Sequence, residues 1–356
     1  MKNYGVIMAG GGGTRFWPLS RQELPKQFLN LTGDDLMINE AIERLLPSIA
    51  AADIFVVTNV NQVPLVQEAT AGVITPAHIL AEPAARNTAA CIGYAAIEIC
   101  KKHGDGIMCI IAADHHIKNV DGFNQTLQRA IALATQTDRL ITIGIRPSFP
   151  AVGYGYIKYN PENEDIRHHE VTEFVEKPDI TTARRYLQEG GYLWNSGMFI
   201  WRASTILRYF EELLPDVRRK LMEIEAALLT DREAEVIAAI YPTIPKISID
   251  YGIMERAAGV TVVESDFDWS DVGSWDALET FYPQDQHGNI SNREQLMIDT
   301  QNCVLYAKSK LIATLGVEDL IIVEAEDAIM VCHKDKAQSV REISEELLKQ
   351  GRMEYL

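Results

Sequence analysis

Along the first two thirds of the chain, short runs of β-branched and other apolar residues alternate with segments whose apolar positions recur every third or fourth residue. Alternation of this kind marks an α/β protein with a mainly parallel sheet. The apolar runs predict strands at 5–9, 54–58, 107–112, 140–144, 171–176 and 197–201, and the helical period predicts helices at 38–46, 87–102 and 123–135. The second helix has Asn87 or Thr88 as a candidate N-cap, Lys101-Lys102-His103 in its last turn and Gly104 as its stop.

From about 202 to 239 the pattern lengthens into charged amphipathic helices at 207–214 and 217–229, a covering layer that Pro242 and Pro245 interrupt. After Tyr282-Pro283-Gln284-Asp285 it changes to short strands at 303–307, 311–315, 320–323 and 328–332, closed by a helix at 337–350. A domain boundary near 285 is expected, with an α/β domain over 1–285 and a small β-rich domain over 286–356. No low-complexity linker separates them, so close packing is expected.

The chain has 356 residues, enough for two or three domains, and 33 Lys+Arg against 50 Asp+Glu give a net charge of −17. That balance argues against a sequence-independent nucleic-acid binder, which needs a surplus of cations to neutralise phosphates. No apolar run approaches the roughly 18 to 20 residues of a membrane span, so no membrane partner is expected. Five cysteines without a Cys-x-x-Cys fit a reducing compartment, which reads as a cytoplasmic chain with inert thiols.

The most informative segment is Ala9-Gly10-Gly11-Gly12-Gly13-Thr14-Arg15-Phe16-Trp17-Pro18, followed by Pro25-Lys26-Gln27-Phe28. A strand ending in four glycines leaves backbone N–H groups free to approach an anion, because no Cβ intervenes. The loop is neither G-x-x-x-x-G-K-[ST] nor G-x-G-x-x-G, since Arg15 occupies the last glycine position of the latter. Arg15 and Lys26 add two cations to the cradle, one a planar fork and the other a point charge. Without them the loop would read as a tight turn.

These residues resemble the signature of the sugar-1-phosphate nucleotidylyltransferases, and the Trp-Pro and Lys-Gln-Phe spellings resemble the mannose-1-phosphate guanylyltransferases among them. Further segments matching in order are Glu82-Pro83-Ala84-Ala85-Arg86-Asn87-Thr88, Ala112-Ala113-Asp114-His115-His116, Gly153-Tyr154-Gly155-Tyr156, Phe174-Val175-Glu176-Lys177-Pro178, Asn195-Ser196-Gly197 and Asp268-Trp269-Ser270-Asp271-Val272-Gly273. The resemblance spans most of residues 1–280. It implies a Rossmann-like, mainly parallel sheet sandwiched by helices, the nucleotidyltransferase fold, over 1–285, and a short β-helix-like domain over 286–356.

By the same resemblance, Arg15, Lys26 and Lys177 are catalytic. Ala9, Gly10, Gly11, Gly12, Gly13, Thr14, Glu82, Pro83, Asn87, Thr88 and Asp114 bind the nucleotide, and Gly155, Glu176, Lys177 and Asn195 hold the sugar phosphate. Asp114 and Asp271 are the implied ligands of Mg2+, whose chemistry favours hard carboxylates. Each residue also has a plainer reading. Asn87-Thr88 could only cap a helix, Glu176-Lys177 could be a surface ion pair worth little, and Asp271 could cap a helix at 274–281, as could Ser270 or Ser274. Adjacent His115 and His116 suggest zinc only weakly, lacking two further spaced ligands.

The implied reaction is attack by a phosphate oxygen of mannose 1-phosphate on the innermost phosphorus of GTP, releasing pyrophosphate and leaving GDP-mannose. The nucleophile is already anionic, so neutralisation and alignment matter more than a strong base. Alternatives are another sugar 1-phosphate and nucleotide pair, or a silent regulatory protein that binds GDP-mannose. Some of these enzymes continue into a cupin-type isomerase domain, and isomerase activity is expected to be absent from this chain. A small carboxy-terminal domain buries little core alone, so a homodimer is expected. Lys26→Ala and Asp271→Ala are expected to fold normally and turn over poorly.

Overall fold

The amino-terminal apolar run forms the strand Lys2–Met8 in a computed structural model, which describes residues 1–32, 35–160 and 167–356. Val6 and Ile7 are fully buried, as β-branched residues are in a strand covered on both faces. Packing divides the chain into two units. One comprises Met1–Gly10, Ala41–Ala113 and Ile117–Trp269, the other Gly11–Glu40, Asp114–His116 and Ser270–Leu356. The second unit contains most of the glycine-rich segment as well as the carboxy-terminal residues.

The first unit holds a nine-stranded sheet among the described residues. Its order is Ile79–Glu82, Ile54–Asn59, Lys2–Met8, Gly106–Ala112, Tyr192–Arg202, Leu140–Ile145, Val260–Ser265, His168–Val175 and Tyr156–Tyr159. All six strands expected here are found. The first four run parallel, as do Leu140–Ile145 and Val260–Ser265. Tyr192–Arg202 is antiparallel to both neighbours, and Tyr156–Tyr159 pairs antiparallel with His168–Val175. The sheet is therefore mixed where a mainly parallel one was expected. Apolar periodicity specifies which face is buried and not which way a strand runs, and the short connection from Tyr159 to His168 permits only an antiparallel return.

Helix Asn87–His103 carries the core of this unit, with Ala89, Ala90, Ile92, Ala95, Ala96, Ile97 and Ile99 all at 0% exposure. It lies under the covering layer, whose helices are Ala203–Leu213, Pro215–Ala227 and Glu233–Ile240. A Cβ at Gly93 would sit 2.5 Å from Leu221 Cδ1, so glycine there lets Leu221 pack directly onto the helix. Leu214 and Pro215 divide the first two covering helices, because proline starts a helix and cannot continue one.

In the second unit Phe16, Trp17, Leu29, Leu31 and Met37 share one core with Val272, Trp275, Val304, Ile321, Val323, Met330 and Val340. Trp275 is fully buried, with its ring 5.1 Å from Phe16 and 5.5 Å from Tyr306, and its Nε1 donates to Trp17 O at 3.0 Å. Short strands stack as Ile290–Ser291, Val304–Ala307, Leu320–Glu324 and Ile329–His333, beside a parallel pair Leu296–Gln301 and Ala313–Glu318. The first three of the four stack in parallel, the β-helix-like arrangement, and Ile329–His333 returns antiparallel to Leu320–Glu324. The closing helix begins as the tight turn Lys334–Ser339 and continues as Arg341–Lys349. No helix among the described residues is long and apolar enough to cross a membrane.

Candidate active site

In the second unit Gly11 and Gly12 are exposed, and a Cβ at either would meet nothing within 4 Å. Gly13 differs: its φ is +59°, and a Cβ there would lie 2.3 Å from Lys26 Cβ and 2.9 Å from Lys26 N. Glycine is required at 13 so that the Lys26 segment can cross it. Ser20 Oγ donates to Gly13 O at 2.6 Å and Gln27 Nε2 to Gly11 O at 3.2 Å, fixing both ends of the loop. Thr14 and Arg15 begin the turn Thr14–Phe16, and exposed Arg15 donates from Nη1 to Gln338 Oε1 at 3.0 Å.

Lys26 is 4% exposed. Its ammonium donates to Asp114 O at 2.9 Å, Asp114 Oδ2 at 3.0 Å and Asp271 O at 2.7 Å. An ammonium has three N–H groups, and these three acceptors use them all. Two aspartates far apart in sequence thus meet at one cation. Burial works to raise the Asp114 carboxyl's pKa, but the charges of Lys26 and His115 and the bond from Lys26 prevail and hold it below the usual range.

The Asp271 carboxylate folds over its own turn, 3.0 and 3.1 Å from where a Cβ at Gly273 would stand. Between them Val272 is fully buried at φ +47°. A β-branched residue held there costs about 1–3 kcal/mol and persists only where its surroundings over-determine it. Ser270 Oγ accepts Val272 N–H at 3.0 Å, and Val272 packs in the core with Trp275. The expected helix at 274–281 is the tight helix Trp275–Thr280, preceded by Ser274, which makes no side-chain cap; Ser274 Oγ instead donates to Asp276 and accepts from Gln338 Nε2 at 2.6 Å. Ser274 therefore holds the N-cap position without a capping side chain.

His116 lies edge-on to Phe281 with ring centroids 4.5 Å apart, its Nδ1 3.6 Å from Glu40 Oε2. Among the described residues no group of three or more His, Cys, Asp or Glu could hold a metal ion. Lys26 thus brings together two aspartates, one held through its carboxylate and the other through its backbone oxygen. That donor set suits a hard ion that keeps water and substrate oxygens as its remaining ligands.

In the first unit, Ala9 spends its backbone groups on the sheet, donating to Val57 O at 2.8 Å and accepting from Thr58 Oγ1 at 3.0 Å. Gly10 leaves room for Glu82, whose Oε2 lies 3.0 Å from where a Cβ would be. Buried Glu82 accepts a short hydrogen bond from Tyr241 OH, and burial raises its pKa against the lowering effect of that bond. Pro83 is half-buried beside it. Asn87 starts its helix at φ +68°, its Oδ1 accepting Thr88 N–H at 2.8 Å, and Thr88 Oγ1 accepts Ile249 N–H at 2.9 Å. Thr88 thus ties the helix start to the segment before Asp250.

That segment leads into a second cluster. Lys177, at φ +50°, donates to Glu176 Oε1 at 2.6 Å, and the Glu176 side chain is only 9% exposed. Burial works to lower the Lys177 pKa, but the Glu176 bond and charge raise it. A Cβ at Gly155 would stand 2.4 Å from Glu176 Oε2, so a side chain here would displace that carboxylate. Asn195 Nδ2 donates to Asp250 Oδ1 at 2.9 Å, while its Oδ1 accepts Gly197 N–H at 3.1 Å. Gly155, Glu176, Lys177 and Asn195, expected to act together, lie in the same unit with these contacts. Asp250, Tyr241 and Gln338 were not anticipated: none stands in a recognisable motif, and Asp250 opens a wide helical turn, Asp250–Met254, that no apolar period reveals.

The Nucleotidyl transferase family model matches residues 4–287, and that of a MannoseP isomerase/GMP-like beta-helix domain matches 293–347. The chain is 38% identical over 357 residues to a mannose-1-phosphate guanylyltransferase of Klebsiella pneumoniae, covering 98% of this chain and 75% of that one. It is 37% identical over 359 residues to the alginate biosynthesis protein AlgA of Pseudomonas aeruginosa, covering 98% and 73%. Among solved structures it is similar to a mannose-1-phosphate geranyltransferase from Thermus thermophilus, with a TM-score of 0.89 and 33% identity over 98% of this chain and 99% of that one.

Proposed function

The chain belongs to the nucleotidyl transferase family, and from that premise we propose that it transfers GMP from GTP to mannose 1-phosphate, giving GDP-mannose and pyrophosphate. The observation that carries this reading is the meeting of Asp114 and Asp271 at the buried ammonium of Lys26. The mannose-1-phosphate relatives supply the choice of sugar and base.

A phosphate oxygen of the sugar 1-phosphate attacks the α-phosphorus of GTP, and the bond to the pyrophosphate oxygen breaks. The nucleophile carries its own charge, so the chain must chiefly offset the repulsion of two anions and align them. Gly11, Gly12 and Gly13 offer backbone N–H groups, and Arg15 its guanidinium, to the nucleotide phosphates. Lys177 bears on the sugar phosphate, beside Glu176 and Asn195. Lys26 acts through its charge and by holding both aspartates, since its three N–H groups are already engaged. Members of this family generally use a divalent metal. Magnesium, held by Asp114 and Asp271, would supply positive charge to the polyphosphate.

The test is pyrophosphate release with magnesium, GTP and mannose 1-phosphate, run beside ATP, dTTP, UTP and glucose 1-phosphate. Release confined to GTP with mannose 1-phosphate is the expected result. Release with another pair would discard the specificity. Silence with every pair, beside measurable GDP-mannose binding, would replace the enzyme with a regulatory protein.

A further inference from the structure

Glu176 and Asp250 bring two carboxyl groups to one part of the first unit. The Glu176 side chain is nine-tenths buried, yet only its Oε1 is engaged, by Lys177; Oε2 is buried without a hydrogen-bond partner. A buried carboxylate oxygen left unpaired costs free energy unless a ligand donor completes it. Oε2 lies against Gly155, 2.4 Å from where a Cβ would stand, so no side chain intrudes on the carboxylate there. Asp250 is the second acceptor. Asn195 fixes its Oδ1, and the wide turn Asp250–Met254 presents it.

Asn195 is more constrained than a residue reading a ligand directly. Its Oδ1 is held by Gly197 N–H and one of its two amide hydrogens by Asp250. Its amide therefore orients Asp250. Burial, followed by the charge of Glu176, pushes the Asp250 carboxyl up to about 6, so the two acids feel each other, and the charge of Lys177 acts on both. Lys177 donates to Glu176 Oε1, so Glu176 Oε2 still lacks a donor, which must come from elsewhere.

We infer that Asp250 is a sugar-binding and specificity-determining residue, which with Glu176 accepts hydrogen bonds from two hydroxyl groups of the hexose 1-phosphate, and which Asn195 positions. This rests on the reading that the Glu176-Lys177 cluster takes the sugar phosphate. A polyhydroxylated ring supplies several O–H donors and no positive charge, which matches two acceptors whose cation is already present. Discrimination between epimers follows, because an inverted hydroxyl leaves one buried carboxylate oxygen unpaired.

The test compares Asp250→Asn, Asp250→Ala and Glu176→Gln with the unaltered enzyme, using mannose 1-phosphate, glucose 1-phosphate and GTP. Asparagine at 250 keeps an oxygen for Asn195 and so preserves the fold, which a melting temperature no lower than that of the unaltered enzyme would verify. The expected result is a KM for mannose 1-phosphate raised about tenfold or more in Asp250→Asn and Glu176→Gln, with the KM for GTP within about twofold. The preference for mannose over glucose should narrow, and Asp250→Ala should behave at least as severely. A raised sugar KM in Glu176→Gln with Asp250→Asn unaltered would overturn the role of Asp250 and keep the site. No change in either would overturn the site reading as well, and equal losses for both substrates with a lowered melting temperature would make Asp250 structural.

Discussion

Replacing Lys26 with methionine keeps the aliphatic stem and removes the ammonium. Three acceptors lose their donor: Asp114 O, Asp114 Oδ2 and Asp271 O, now bonded at 2.9, 3.0 and 2.7 Å. Breaking a fully buried ion pair costs about 3–5 kcal/mol. The Asp114 side chain, however, is 38% exposed, so water can recover part of that loss, and about 2 kcal/mol of stability is the expected cost. The sequence expectation that such a variant folds normally is therefore revised to a fold that is weakened but retained. Turnover should fall about a hundredfold, or about 3 kcal/mol, as for loss of a preorganised charge. The stability loss has a pH signature. Burial opposes ionisation of Asp114, but Lys26 outweighs it and depresses the folded pKa. A depressed carboxyl stabilises the fold above its unfolded value of about 3.9, and that contribution is lost as pH falls through the folded value. Urea unfolding of enzyme and variant should differ most near neutral pH and converge below about pH 4. A difference independent of pH would show that Lys26 contributes by packing alone, and unaltered pyrophosphate release would remove it from the chemistry.

Gly13→Ala should abolish turnover and destabilise the fold, because the added Cβ meets Lys26 Cβ at 2.3 Å and the φ of +59° disfavours any side chain; native-like melting and activity would contradict that geometry. Trp275→Ala removes a fully buried ring that touches Phe16 and Tyr306, and should cost about 3–5 kcal/mol in urea unfolding. Asp250→Asn should alter the pH dependence of stability. A carboxyl raised to about 6 by burial and Glu176 favours folding while protonated, and that contribution is lost as pH rises from about 4 through 6. The melting temperature of the unaltered enzyme should therefore fall relative to the variant across that window, and parallel curves would refute it.

The fold was legible where burial is two-sided or periodic. Runs such as Ile107-Met108-Cys109-Ile110-Ile111 are apolar at every position because both faces of Gly106–Ala112 are covered, and the small residues of Asn87–His103 announce a helix packed all round. Ile79–Glu82 and Tyr156–Tyr159 escaped because four residues carry too little pattern to distinguish a strand from a turn. Strand direction escaped for a different reason. Tyr192–Arg202 has the same apolar run in either orientation, and only its neighbours decide it.

The site divides along the same line. Gly13, Lys26 and Gly155 stood in recognisable motifs, and Gly13 is also demanded by geometry, since at φ +59° a Cβ there would strike the Lys26 backbone. Asp114 and Asp271 were singled out by motif, but their meeting depends on Lys26, which reaches one of them by a side-chain bond and the other through a backbone oxygen. No sequence pattern encodes an acceptor that every residue possesses. The same holds for Asn195, whose role as the holder of Asp250 follows from which of its amide atoms are already used. Motifs therefore identify the groups that chemistry requires by type, whereas the way Lys26, Asn195 and the strained Val272 aim them emerges only once their bonds are counted.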